Sequence, residues 1–431
     1  MAIVFHSRLV PLGWAASAML ASLAVLPAYG ENPYGVEEPS RLSLRALIDF
    51  RIIRSSEAPS WQDRGPGTLR YGGVTESDGS FGRVTRYAIS QFALEPSAQL
   101  PWGIQAQAQL NWEGDIDDHG DSSPADNEIR LIEAFLRKDW GASTNGWALL
   151  GGAVNPAFSL EHTGPAWTPE FTLTPSALNS WLWQEGRIVG VEAEGWRTLE
   201  SGVQLRGFTG LGWGPDHDGI LLARRGWVLD DFLSGVNSDL PLPSPAGAET
   251  EIDDETDHRA AIYAGGSIAD PRKIATLHLG YADNRGDISK QGVWSAHYSI
   301  AGIQLQPLPG LDLIVQFLTG EIESFTPGLR NKIQAIYPLV SYRWRQHRLS
   351  LRYDDFKVDD QDGSLNMPNT PNTQQDGSAW TFAYMLEMGL RHRIAAEYIT
   401  VDSERHIVVN NSPVTVDQPD EAVQFSYRFR Y

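Results

Sequence analysis

Arginine residues alternate with aromatic residues at the end of this 431-residue chain. In the last nine residues, Arg428 and Arg430 lie between Tyr427, Phe429 and Tyr431. An extended segment places successive side chains on opposite faces, so this one has an aromatic face and a basic face. A row of fixed positive charges beside water favours polar or charged solutes over apolar ones.

The environment of the two faces follows from the cost of placing charge in lipid. An arginine on the lipid side of a barrel strand costs roughly 2–4 kcal/mol at the bilayer midplane. The basic face must therefore meet water, and we expect the aromatic face to meet lipid. A soluble sandwich also forms strands with one apolar face, so this segment alone leaves that alternative open.

The same alternation predicts a basic wall that extends over strands from both ends of the chain, which become neighbours when the sheet closes. Its members are Arg41, Arg45, Arg51, Arg343, Arg345, Arg348, Arg352, Arg393, Arg428 and Arg430. A polar, neutral face made of Gln105, Gln107, Gln109 and Asn111 should lie opposite. The alternative is that several of these arginines form lumen salt bridges with Asp49, Asp354 and Glu397 and select no solute, in line with the modest contribution of solvated ion pairs.

Catalytic chemistry has little support in the sequence. His278 and His297 lie on predicted strands, with Ser295 and Ser299 beside the second histidine. A Ser–His pair is conceivable there. However, the sequence has no nucleophile elbow, no zinc-protease helix and no phosphate-binding glycine loop. We predict no catalytic residues and no enzyme.

Metal binding is weakly indicated by the segment from Asp115 to Asp126, with Asp115, Asp117 and Asp126 as ligands. His119 stands where a calcium loop needs an oxygen ligand, and Asp126 is shorter than the usual glutamate. We therefore predict no dedicated metal site and no cofactor. Divalent cations should instead bind loosely, among lipopolysaccharide phosphates, at acidic loop residues: Asp230, Asp231, Asp253, Asp254, Asp257, Asp359, Asp360 and Asp362.

The elements that position these residues are about sixteen alternating segments, from residues 41–53 to the closing segment. Connections after odd-numbered segments are mostly long, whereas those after even-numbered segments are short. Long loops at one end, tight turns at the other and an even strand number are typical of an outer-membrane barrel. The fold prediction is therefore an all-β, transmembrane antiparallel β-barrel of about 16 strands, with fourteen or eighteen as alternatives.

The amino terminus resembles a secretory signal over residues 1–30, with Arg8, an apolar stretch and small residues before Glu31. A single anchoring helix is the alternative, although Pro11 and Gly13 disfavour it. Residues 31–431 then form one barrel domain. The net charge of −20 argues against a nucleic-acid partner. The chain has no cysteine, and its 15 tryptophans and 14 tyrosines suit bilayer interfaces.

In strand count and loop order, the chain resembles sixteen-stranded bacterial porins of the phosphate-selective and general-diffusion types. The segment that begins Asn155-Pro156-Ala157-Phe158 is similar to the start of their third long loop, which folds into the lumen and narrows it. The resemblance implies that residues 155–185 form the pore constriction. Its implied members are Glu161, His162, Trp167, Glu170 and Glu185, with Asp139 as a further acidic candidate.

The aromatic content of residues 155–185 supports an inward fold, since apolar burial contributes about 25 cal/mol per Å². A packed surface loop or an extracellular lid is the alternative. Within this loop a short helix should begin near Thr174, with Thr174 as its cap and Pro175 in the first turn.

The predicted function is passive diffusion of small hydrophilic or charged solutes through the bacterial outer membrane. Lipid and lipopolysaccharide are the expected partners, and the porin resemblance implies a homotrimer. The alternatives are a substrate-specific or polymer-export barrel, and a structural or adhesive surface barrel whose long acidic loops carry the function.

Overall fold

A computed structural model describes residues 42–115, 128–214, 216–236, 238–242, 249–251, 255–324, 329–363, 374–409 and 412–431. The predicted signal segment and Arg41 lie outside these residues. No helix among the described residues is long and apolar enough to cross a bilayer.

Sixteen strands form the barrel, which confirms the predicted number. They are β1 (Leu42–Ser55), β2 (Thr85–Leu100), β3 (Ile104–Asp115), β4 (Ile129–Ala142), β5 (Asn145–Val154), β6 (Ile188–Thr198), β7 (Gln204–Trp213), β8 (Ala260–Ala269), β9 (Ala275–Asp283), β10 (Trp294–Leu308), β11 (Leu311–Ser324), β12 (Arg330–Trp344), β13 (His347–Asp360), β14 (Gln374–Met388), β15 (His392–Val409) and β16 (Asp420–Arg430).

Each strand pairs antiparallel with the next, and β1 pairs with both β2 and β16, so the sheet closes. In the closing pair Asp49 lies opposite Arg428. A short strand, Ser412–Asp417, pairs with β15 and extends the last long loop. The long connections leave one end of the barrel and the tight turns leave the other, as the sequence predicted.

The two faces of the strands follow the predicted alternation. Phe425 and Tyr427 are exposed on the outer face of β16, whereas Ser426 and Arg428 are buried on its inner face. Exposed tryptophans lie near the tight-turn end, namely Trp102, Trp140, Trp147 and Trp344. Such a girdle is what an interface between lipid headgroups and hydrocarbon favours.

Three long connections contribute most of the remaining structure. Loop 1 (residues 56–84) contains the short hairpin Val74–Thr75 with Phe81–Gly82. Loop 3 (residues 155–187) contains the 3-10 turn Pro165–Trp167 and helix α1 (Ala177–Glu185). Loop 4 (residues 214–259) contains helix α2 (Ile220–Arg225) and the strand pair Asp239–Pro241 with Glu249–Glu251.

Candidate functional site in the barrel lumen

Loop 3 packs against the inner face of the barrel, where two glycines leave room for it. A Cβ atom on Gly280 would lie 2.5 Å from the ring of Phe158, and one on Gly302 would lie 2.8 Å from Leu160. The Phe158 ring also contacts Phe208, at 5.6 Å between ring centroids. The loop is therefore seated on β9 and β10 by apolar contact.

A buried ion pair also holds loop 3 to β13. Arg352 of β13 donates to Glu161 at 2.9 Å, to Asp354 at 2.8 Å and to the Thr174 carbonyl at 2.7 Å. The side chains of Glu161 and Arg352 are both 0% exposed. Glu161 also accepts hydrogen bonds from the Ser176 backbone N–H at 2.9 Å and from the Asn179 amide at 2.6 Å. The carboxylate thus joins the loop, its helix and the wall.

A second carboxylate of the wall holds the segment before α1. Glu397 of β15 accepts from the backbone N–H groups of Leu173 at 2.6 Å and Thr174 at 3.1 Å. Helix α1 then begins after Ser176, whose hydroxyl accepts from the Asn179 N–H at 3.2 Å. The predicted helix is present, but its cap is Ser176 and not Thr174, because Thr174 is bound to the wall.

Loop 4 packs on α1. Ser180 donates to the Asp230 carbonyl oxygen at 2.9 Å, and Gln184 donates to the Asp230 carboxylate at 2.9 Å. Glu185 accepts from the Leu221 N–H of α2 at 3.2 Å and from the indole of Trp181. Every residue of α1 is buried. Hydrogen bonds between loop 4 and Ser180, Gln184 and Glu185 therefore hold loop 4 against α1.

Loop 1 packs against loop 4. Asp231 of loop 4 accepts from Arg51 of β1 at 2.5 Å and from Arg70 of loop 1 at 2.9 Å. The Arg225 guanidinium lies over the ring of Trp61, 3.8 Å from its centroid. Trp61, Trp181 and Trp227 belong to one buried apolar cluster. We call loops 1, 3 and 4 together the plug.

The plug fills the barrel at mid-height. Inner-face side chains around the wall are almost completely inaccessible to water there. They include Asp49, Ile53, Arg130, Gln316, Leu318, Tyr337 and Arg352, each 0% exposed. At this level the described loops and the wall form a packed interior with salt bridges and an apolar core.

Within the plug, burial shifts the pKa of several carboxyl and imidazole groups. Burial raises the pKa of Glu185 to about 7 and that of Asp230 to about 6. Burial lowers the pKa of His162 to about 4. Burial alone would raise the pKa of Glu161, but Arg352 and the Ser176 and Asn179 donors hold it below its usual range.

The predicted basic wall is divided between three environments. Arg51, Arg352, Arg393 and Arg428 are buried, and each forms an ion pair with a carboxylate. Arg45 and Arg430 pair with Glu95 and Glu387 nearer the tight-turn end. Arg343 is exposed on β12, and Arg345 lies in the following turn instead of the strand. The alternative pairing with Asp49 and Asp354 is thus present.

The predicted constriction residues all lie on loop 3, but they have different contacts. His162 is buried beside Trp183, with 5.0 Å between ring centroids, and Trp167 packs on the same indole at 4.8 Å. Glu161 and Glu185 are fully engaged within the plug. Glu170 remains 37% exposed and binds Arg348 at 3.0 Å. Glu170 is therefore the carboxylate of this set that meets open solvent.

Open space lies at the tight-turn end, where two cavities of 380 and 490 Å³ share Lys273. We call them the vestibule. Its lining contains seven basic residues: Arg137, Arg197, Arg206, Arg272, Lys273, Arg343 and Arg348. Three acidic side chains accompany them, namely Asp139, Glu170 and Asp312.

The acidic-loop residues are only partly described. Asp115 ends β3, whereas Asp117, Asp126, Asp253 and Asp254 lie outside the described residues. Asp230 and Asp231 are bound inside the plug. A different group, Asp216, Glu255 and Asp257, brings carboxylate oxygens within 4.8 Å of one another.

The histidines considered for catalysis point in different directions. Strand alternation puts His278 on the inner face, with Gly280 and the buried Ala282. It puts His297 on the outer face, because Ala296 and Tyr298 are buried inside.

Solved structures of bacterial outer-membrane proteins have a similar fold. DcaP, an outer membrane channel of Acinetobacter baumannii, aligns with a TM-score of 0.50 at 11% identity over 90% of this chain and 97% of that chain. The fold is that of bacterial outer-membrane porins.

Two further structures align over similar lengths. The anion-selective porin from Comamonas acidovorans aligns with a TM-score of 0.48 at 11% identity over 90% of this chain and 99% of that one. The trimer form of OmpT from Vibrio cholerae has a TM-score of 0.46 at 9% identity, with the same coverages. No protein-family model matches the sequence, and no curated protein matches it.

Sequence reasoning missed the residues that loops 1 and 4 contribute to the plug. Loop 4 carries the apolar stretches 220–223 and 227–229, and loop 1 carries Trp61, Leu69 and Tyr71. The aromatic argument that predicted an inward loop 3 applies equally to these segments. It would have identified all three loops.

Proposed function

We propose that the protein is an outer-membrane channel for small anionic solutes whose lumen is narrowed by the plug, with loop 3 as the constriction. The observation that carries the solute class is the vestibule. It is lined by seven basic and three acidic residues, in a chain with a net charge of −20. A basic cleft with low-dielectric walls concentrates anions.

Planar-bilayer recording of the reconstituted chain tests this proposal. We expect a small conductance whose reversal potential in a salt gradient has the sign of anion selectivity. Arg206→Gln and Arg343→Gln, which remove vestibule charges, should shift it toward cation selectivity. Deletion of residues 216–257 should raise the conductance. Silence of the full chain would refute a channel.

A structural or adhesive surface barrel is the second candidate, and the filled mid-section favours it. Such a barrel needs no aqueous path, and its long loops would do the work. Conductance of the full-length chain distinguishes the two. A channel should conduct as the full chain, whereas a structural barrel should remain at background conductance as the full chain and lose surface binding when residues 216–257 are removed.

The surroundings of the barrel belong to the same proposal. The outer face would contact lipid and lipopolysaccharide, the acidic loops would hold divalent cations loosely, and three copies would associate as the porin resemblance implies. Native mass spectrometry of the detergent-extracted protein tests the trimer.

A further inference from the structure

Among the basic residues that line the vestibule, Arg348 is the one that is buried, at 8% exposed. Its guanidinium lies over the ring of Phe171, 4.8 Å from the centroid. It donates to Ser341 at 3.2 Å and lies 3.7 Å from Asp312. These contacts fix its orientation, so its remaining donors are held toward the vestibule. A fixed guanidinium is well suited to bind a carboxylate or phosphate with two parallel hydrogen bonds.

The partner that meets those donors is Glu170 of loop 3. Its Oε1 accepts from Arg348 at 3.0 Å, and its Oε2 accepts from the Thr163 hydroxyl at 2.8 Å. The Glu170 side chain is 37% exposed, whereas that of Arg348 is 9% exposed. Exposed members of an ion pair contribute little to stability. The carboxylate is therefore the replaceable partner and the guanidinium the permanent one.

Excess positive charge surrounds this pair. Arg343 lies directly opposite Arg348 on the neighbouring strand, and like charges in such cross-strand pairs repel. Arg272 and Lys273 line the same 490 Å³ cavity. The four cations face only two carboxylates, those of Glu170 and Asp312. A further anion in the cavity would relieve this imbalance.

We infer that the larger vestibule cavity binds a small oxyanion, a carboxylate or a phosphate, between Arg343 and Arg348, and that Glu170 of loop 3 competes with it for Arg348. This inference rests on the proposed anion channel, and it names the residues that set its specificity. Because Glu170 belongs to loop 3, an arriving anion exchanges places with part of the constriction loop.

Isothermal titration of the full chain, folded in detergent, tests the site with inorganic phosphate and, separately, with succinate. Glu170→Gln should bind at least one of them about tenfold more tightly, because a hydrogen bond to a charged group is worth about 1.5–3 kcal/mol. Arg343→Gln and Arg348→Gln should bind it at least about tenfold more weakly. The comparison of phosphate with succinate identifies the preferred oxyanion.

Asp287→Asn is the matched control, since it removes a carboxylate from an ion pair with Arg259 (2.8 Å) at the opposite end of the barrel. It should leave binding unchanged. If Arg348→Gln does not fold, the exposed Arg343 still provides the loss-of-binding test. The site is refuted if neither anion binds, if Glu170→Gln binds no more tightly than the wild type, or if Arg343→Gln binds equally well.

Failure of this inference is separable from failure of the channel. Titration needs no conduction. A barrel that does not conduct but binds phosphate through Arg343 would therefore support the anion site and refute the channel. An anion-selective barrel whose affinity for the anion is unchanged by these substitutions would support the channel and refute the site.

Discussion

Replacing Glu161 by glutamine should release loop 3 from the wall. The carboxylate is 0% exposed, and it accepts from Arg352 at 2.9 Å, the Ser176 N–H at 2.9 Å and the Asn179 amide at 2.6 Å. Glutamine retains the shape but offers one acceptor oxygen and no charge. Arg352 keeps Asp354 at 2.8 Å, so its own charge remains paired.

The magnitude follows from these contacts. Removing one partner of a buried ion pair costs about 3–5 kcal/mol when the other is left uncompensated. Since Asp354 still compensates Arg352, we expect the lower end, about 3 kcal/mol, by the same reasoning. That free energy corresponds to a rise of about 150-fold in the population of released loop 3.

Hydrogen–deuterium exchange of residues 171–185 measures this opening, because protection reports the free energy of local unfolding. Protection in Glu161→Gln should fall by about two orders of magnitude. Glu170→Gln is the matched control, with the same substitution in the same loop at a side chain that is 37% exposed. It should cost at most about 1 kcal/mol. Equal protection in the two variants would refute the clamp.

Three further predictions concern other contacts of the plug. Glu185 has a pKa raised to about 7 from 4.5, so the docked loops bind its proton more strongly than the released loops and their stability should fall by about 3 kcal/mol as the pH rises through this window. Titration of His162, whose pKa is lowered, makes the docked loops more stable as the pH rises. The measurement is therefore the difference in α1 exchange protection between wild type and Glu185→Gln from pH 5 to 7.5. Equal dependence of protection on pH in the two proteins would contradict the prediction. Gly280→Ala should displace Phe158 and lower the free energy of unfolding by roughly 1–3 kcal/mol, measured by thermal unfolding. Gly195→Ala is the neutral control, because its added Cβ meets nothing within 4 Å. Purely additive losses in the double variant with Phe158→Ala would argue against the clash. Asp420→Asn should reduce exchange protection of loop 1 by about 1.5–3 kcal/mol, because Asp420 accepts from the Thr68 and Leu69 N–H groups at 2.9 and 3.2 Å. The control is Glu421→Gln, at a partly exposed neighbour, which should have little effect on that protection. Equal losses in both variants would contradict the role of Asp420.

The barrel could be predicted from the sequence because the alternation that indicates its strands is local. In β16, residues two apart share a face, and the lipid and lumen environments impose opposite chemistry on the two faces. The outward Phe425 and the inward Arg428 could therefore be assigned without any knowledge of their neighbours. The same holds for the order of long and short connections.

The interior was less accessible because its contacts join distant parts of the chain. Glu161 and Arg352 are separated by 191 residues, and periodicity in either segment gives no information about the other. The alternation correctly placed Arg352 inward. It could not distinguish an arginine that lines water from one that holds a loop, since both positions read as a charge on the inner face.

These long separations set an order of events during assembly. Loop 1 is held by Asp420, 352 residues from Thr68, so it can dock only after the carboxyl-terminal strand has joined the first. Contacts of such sequence separation form slowly. We therefore expect the hydrogen bonds of Thr68 and Leu69 to Asp420 to form late, after the sheet has closed.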